Sequence, residues 1–92
     1  MIDDYILYKN LPVIDLHGHD RYSAVLKTNE FVEDNYKLGN YLIKIIHGKG
    51  EGILKENIHS SLKKNKLVEA YKLDVFNTGT TVIKLKKNNK NE

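Results

Sequence analysis

The chain has 92 residues, 40% of them apolar and 29% charged, with one Pro, no Cys and no Trp. A length like this supports one core, with a radius of gyration of ~12 Å, and argues against a deep substrate cavity. Without cysteine there is no disulfide framework, thiolate nucleophile or zinc knuckle, while a formal charge of +3 permits a polyanionic partner without demanding one.

Residues 1–11 carry acids and an apolar patch, Tyr5, Ile6, Leu7 and Tyr8, and read as an N-terminal extension that docks as an arm. Acids stand where a signal peptide carries basic residues, and no apolar run approaches the ~20 residues of a membrane span. A cytoplasmic protein without a membrane partner is the expectation. Val13-Ile14-Asp15-Leu16-His17 reads as a strand, with Ile14 and Leu16 on one face and Val13, Asp15 and His17 on the other. Gly18 ends it. Asp20 is placed to cap a helix of nearly five turns, with Val25, Phe31, Val32, Tyr36 and Leu38 as its apolar positions and Gly39 just past its end.

Tyr41-Leu42-Ile43-Lys44-Ile45-Ile46 is almost continuously apolar, as in a central strand of a parallel pair. After Lys49-Gly50-Glu51-Gly52, a second helix carries Leu54, Ile58 and Leu62 at i, i+4 steps, opposite Lys55, Lys63 and Lys64. Residues 67–76 read as a third strand, Asn77-Thr78-Gly79 as a turn, and residues 80–85 as a β-branched fourth strand; residues 87–92 form a polar tail expected to be disordered. The order strand, helix, strand, helix, strand, strand predicts an α/β two-layer βαβαββ sandwich over residues 12–86. Crossover handedness lets both helices lie on one face of a four-stranded mixed sheet.

Asp15-Leu16-His17-Gly18 and Ile45-Ile46-His47-Gly48 each put His-Gly at the C-terminal end of a strand, just before a helix. In a parallel pair those ends share the sheet edge where open α/β folds bind ligands, which predicts neighbouring histidines. Both helix N-termini open on the same edge and favour an anion. Gly48, Gly50 and Gly52 allow a close backbone approach, and Lys49 adds a mobile positive charge. A site for a phosphodiester follows, although a purely structural turn explains the glycine run equally well. Likewise, Asp15 and His17 read either as a structural hydrogen-bonded pair or as a general base with its orienting carboxylate.

Ile14-Asp15-Leu16-His17-Gly18 resembles the Leu-Asp-Leu-His-Gly signature of the Smr (small MutS-related) domain family, and Ile45-Ile46-His47-Gly48-Lys49-Gly50-Glu51-Gly52 resembles its His-Gly-Lys-Gly-x-Gly signature. The resemblance extends over about residues 11–86. It implies a fold like the C-terminal domain of a translation initiation factor, and binding, nicking or cleavage of DNA or RNA, including mRNA on ribosomes. It associates Asp15 and His17 with cleavage, and His47, Gly48, Lys49 and Gly50 with nucleic-acid contact. The chain departs from the family pattern twice. His19-Asp20 replaces Leu-Thr, and Asn77-Thr78-Gly79-Thr80 stands where a Gly-rich loop usually precedes the last strand, leaving one wall of the phosphate site in doubt. No ATP-binding motif or MutS-like body is present, so a free-standing member and a domain of a longer protein both fit.

The working mechanism has His17, oriented by Asp15, activating water or an RNA 2′-hydroxyl, while His47 and Lys49 stabilise the phosphorane. Asp15, His17 and His47 also suggest an open site for Mg or Mn, although their spacing matches no closed zinc pattern. Arg21, the sole arginine, is placed to grip a phosphate or simply to be solvated on its helix. His19 is expected to fill a loop or to assist at the site, His59 to be solvated, and most of the tyrosines to pack. A nuclease and a non-catalytic DNA-, RNA- or ribosome-binding module are the two readings.

Overall fold

The computed structural model describes residues 10–50 and 52–87. Its elements follow the predicted order: β1 (Val13–Asp15), α1 (Arg21–Leu38), β2 (Leu42–Ile46), α2 (Gly52–Lys64), β3 (Val68–Leu73) and β4 (Thr80–Leu85). The sheet runs β1-β2-β4-β3, with β1 parallel to β2 and β4 antiparallel to both of its neighbours. The second crossover therefore joins strands that are not adjacent, because β4 inserts between β2 and β3. Composition explains the insertion: Thr80, Thr81, Val82, Ile83 and Leu85 are all buried, whereas β3 alternates and suits an edge.

Both helices pack on one face of the sheet, as predicted. Leu16, Ile43, Ile45, Ile83 and Leu85 meet Ala24 and Val32 of α1 and Ile58 and Leu62 of α2 in one core cluster. The radius of gyration is 12.4 Å. On the other face, Leu11 and Leu42 pack against Val82. The remainder of the arm, with Tyr5, Ile6, Leu7 and Tyr8, lies outside the described residues, as does the tail beyond Lys87.

Asp20 caps α1 by accepting the Ser23 N–H at 2.9 Å, and the helix ends at Gly39, whose N–H reaches back to Asn35 and Tyr36. The stripe that α1 buries matches the predicted one only in part, with Val32 buried and Phe31 and Tyr36 packed against the core. Ala24, Thr28, Val32 and Asn35 are buried, Val25, Phe31 and Tyr36 are half-buried, and Leu38 is exposed. Asn35 fits there because its amide donates to the Phe31 carbonyl and its oxygen accepts from Asn40. Among the described residues the Thr28 hydroxyl has no such partner.

Two predicted strands are shorter than expected, and side-chain oxygens end both. The Asp15 carboxylate takes the His17 N–H at 3.1 Å, and the Leu16 carbonyl takes the His19 N–H at 3.1 Å, turning the chain out of β1. The Asp74 carboxylate takes the Phe76 N–H at 2.9 Å, and the Asp74 N–H donates to the Thr80 carbonyl, so residues 74–79 form the link between β3 and β4.

Candidate functional site

The C-terminal ends of β1 and β2 open on a cleft of ≈ 480 Å³ lined by His17, Gly18, His19, His47, Gly48, Lys49, Gly50 and Leu54. Both predicted His-Gly pairs thus reach one cavity, from different sides. The His17 side chain is 68% exposed, whereas His47 as a residue is 4% exposed. A Cβ built on Gly48 would lie 3.4 Å from the His17 Cβ, so the two loops touch. At φ +92° Gly48 occupies the left-handed region, where other residues are strained.

Asp15 and His17 form a close pair. The His17 Nδ1 lies 2.6 Å from the Asp15 Oδ1, and the same oxygen holds the His17 backbone N–H. The hydrogen bond from the imidazole, followed by that from the backbone, holds the Asp15 carboxyl below its ordinary value of 3.8. With Nδ1–H committed to the carboxylate, Nε2 carries the free lone pair. This arrangement can take a proton from a hydroxyl or a water placed in the cleft.

His47 has a different role. Its Nδ1–H donates to the Gly48 carbonyl at 3.0 Å, and its Nε2 lies 2.8 Å from the Thr81 hydroxyl. Burial is the main cause of its depressed pKa, reinforced by the positive charge of Lys55, while the Gly48 bond acts in the other direction. Both ring nitrogens are thus engaged within the protein, Nδ1 at the Gly48 carbonyl and Nε2 at Thr81, although His47 lines the cleft. Among the described residues no group of three or more His, Asp or Glu side chains is arranged to hold a metal ion.

The turn before β4 packs against the 47–50 loop, although its residues do not line the cleft. The Gly79 carbonyl accepts the N–H groups of His47 and Gly48 at 2.9 and 3.0 Å. A Cβ on Gly79 would stand 3.0 Å from the Gly48 carbonyl carbon, so a side chain here would push the turn and the loop apart by a few tenths of an ångström. The Asn77 side chain braces the turn by accepting the Gly79 N–H at 3.0 Å.

The remaining candidates divide. Lys49 and Gly50 line the cleft and are exposed; Gly52 opens α2 and is exposed but does not line it. Arg21 opens α1 outside the cleft lining, where its guanidinium lies 5.1 Å from the Tyr22 ring centroid and donates to the Tyr22 hydroxyl. His19, read as filling a loop or assisting at the site, lines the cleft. His59 is not solvated as expected: it is half-buried, with Nε2 2.7 Å from the Thr81 hydroxyl and its ring 4.9 Å from that of Tyr71. A second groove of ≈ 590 Å³ lies between the helices, lined in part by Asn29, Asn57, Ser61, Lys64 and Lys66.

Residues 14–86 match the family model of the Smr domain. The chain belongs to the Smr family. It is 42% identical over 76 residues to the endonuclease MutS2 of Clostridium acetobutylicum, covering 79% of this chain and 10% of that protein. With the endonuclease MutS2 of Clostridium tetani the identity is 40% over the same shares. The chain thus spans about a tenth of the length of these curated relatives. Among solved structures, the Smr domain of Thermus thermophilus MutS2 superposes with a TM-score of 0.80 at 29% identity, covering 83% of this chain and 99% of that domain. YdaL, a stand-alone small MutS-related protein of Escherichia coli, has a TM-score of 0.80 at 20% identity, covering 87% of this chain and 68% of YdaL, a likeness of fold. No helix among the described residues is long and apolar enough to cross a membrane.

Proposed function

We propose that this Smr domain binds a DNA or RNA strand across the cleft between the β1 and β2 loops and cleaves its phosphodiester backbone, with His17 as the proton-transfer group. The observation that carries this reading is the exposed Asp15–His17 pair at 2.6 Å at the cleft, whose Nε2 has no hydrogen-bond partner among the described residues. Asp15 fixes the tautomer and stabilises the imidazolium that forms as His17 takes a proton from water or from a 2′-hydroxyl. The Lys49 ammonium and the backbone amides of Lys49 and Gly50 are suited to the anionic oxygens of the phosphate. His47 supports the loop that carries them. The endonuclease activity named for the MutS2 relatives favours the same reading.

The test incubates the protein with nicked, branched and single-stranded DNA and RNA, with and without Mg²⁺ or Mn²⁺. His17→Ala is expected to abolish cleavage and leave most of the binding. Equal loss of binding and thermal stability in His17→Ala would assign the pair a structural role. Binding that weakens steeply with salt, with no substrate cut by the unaltered protein, would make the domain a nucleic-acid or ribosome-binding module instead.

A further inference from the structure

Three side chains from three elements meet beneath the cleft. Thr81, at the start of β4, is fully buried, and its hydroxyl lies 2.8 Å from the His47 Nε2 and 2.7 Å from the His59 Nε2. His59 comes from α2 and His47 from the end of β2, and the two rings meet edge to face at 5.9 Å.

Donor and acceptor counting leaves one consistent arrangement for the neutral rings. A carbonyl cannot donate, so the His47 Nδ1 facing the Gly48 oxygen carries the proton and its Nε2 is a bare acceptor. The Thr81 hydroxyl must then donate to His47, which leaves its oxygen to accept the His59 Nε2–H. The chain of bonds therefore runs His59 to Thr81 to His47 to the Gly48 carbonyl. Its last link sets the orientation of a peptide group. The Gly48–Lys49 peptide is trans, so turning the Gly48 carbonyl toward the His47 ring turns the Lys49 N–H the opposite way. The His47 and Gly48 amides are occupied by Gly79. Among the described residues the Lys49 and Gly50 amides donate no hydrogen bond, and both residues line the cleft.

We propose that Thr81 and His59 are positioning residues, which hold the His47 tautomer that orients the Gly48–Lys49 peptide and thereby set the Lys49 and Gly50 amides for an anionic backbone. The inference rests on the phosphate-binding reading of the cleft and assigns its affinity to a buried chain that touches no ligand.

Thr81→Val removes the hydroxyl while keeping the shape, Thr81→Ser restores it, and His59→Phe keeps a ring against Tyr71 without the donor. Affinity for a labelled single-stranded RNA oligonucleotide is measured well below each melting temperature, beside the Lys49 and Gly50 amide resonances and the imidazole ¹⁵N spectrum of the free protein. Thr81→Val is expected to weaken binding about tenfold, the equivalent of one well-placed donor. His59→Phe should weaken it in the same direction, and Thr81→Ser should recover it. The free protein should carry the His47 proton on Nδ1, and Thr81→Val should shift both loop amides. A Thr81→Val protein that melts earlier but binds as tightly as the unaltered one would overturn the proposal and leave Thr81 a packing residue. A His47 proton on Nε2, or loop amides that do not shift, would also overturn it. If the unaltered protein binds no oligonucleotide, the reading of the cleft fails, while the tautomer and the amide shifts still decide whether the chain orients the loop.

Discussion

Gly79→Ala tests the contact on which the whole cleft edge depends. The added Cβ would stand 3.0 Å from the Gly48 carbonyl carbon, 3.0 Å from the Lys49 Cγ and 3.2 Å from the Lys49 nitrogen. The Cγ belongs to a flexible side chain and can swing away; the two backbone atoms cannot. The 74–79 turn and the 47–50 loop must therefore separate by a few tenths of an ångström, stretching the bonds that the Gly79 carbonyl receives from His47 and Gly48. Overpacking of this kind costs about 1–3 kcal/mol, and each backbone bond contributes about 1 kcal/mol when fully lost. Partial stretching places the sum at about 2 kcal/mol, a fall in melting temperature of about 10 °C for a domain this small. Gly50→Ala is the control, because a Cβ there meets nothing within 4 Å and the backbone is not left-handed. It should melt within about 5 °C of the unaltered protein and no lower, since a compatible Gly→Ala change gains at most about 1 kcal/mol. Circular dichroism melts of the three proteins decide the matter: equal melting of the Gly79→Ala and unaltered proteins, or an equal fall for Gly50→Ala, would refute the close approach.

Thr28→Val should stabilise the domain by about 1 kcal/mol, because the Thr28 hydroxyl is buried without a hydrogen-bond partner among the described residues and valine has nearly its shape; a lower urea midpoint for the variant would show that the hydroxyl is satisfied after all. Stability should also fall on acidification. Burial lowers the His47 and His59 pKa values below 6.5, each helped by the positive charge of Lys55 and, for His59, by His47. Below 6.5 the unfolded chain binds more protons than the folded one, so stability declines until the folded values are reached, while above 6.5 both states are neutral and the effect vanishes. The Asp15 carboxyl, held below 3.8, adds a further loss only when the pH falls beneath that value. Urea midpoints taken from about pH 7.5 to about pH 5 should decrease, and a flat profile would contradict the buried neutral pair.

The elements that the sequence revealed best were those with local signals. Asp20 and Gly39 bracket α1 as its cap and its end, and the Leu54, Ile58, Leu62 stripe of α2 faces the sheet with Ile58 and Leu62 fully buried. What it hid was decided by contacts distant in the chain. Asn35 sits on the buried face of α1 because Asn40, beyond the helix end, completes its hydrogen bonding. His59 is joined to Thr81, 22 residues away, and no local pattern announces that pairing. One signal was nevertheless available. Alternation puts Thr81 on the same face as Ile83 and Leu85, and a hydroxyl on an apolar face requires a partner.

Alternation also explains why two nearly identical motifs have opposite surroundings. In the parallel register Ile14 lies opposite Ile45 and Asp15 opposite Ile46, so the second motif is offset by one residue from the first. Ile43 and Ile45 face the helices, and the next position of that parity is His47, which is drawn into the interior and must be neutral and bonded. In the first strand Ile14 and Leu16 take the inward positions, and His17 falls on the outward parity beside Asp15. Moving either motif by one residue would bury the Asp15–His17 pair or expose His47, because every side chain on a strand exchanges faces in such a slip. The division between an exposed imidazole with a free nitrogen and a buried imidazole bound to the loop is thus a consequence of strand register, set by which apolar residues precede each His-Gly.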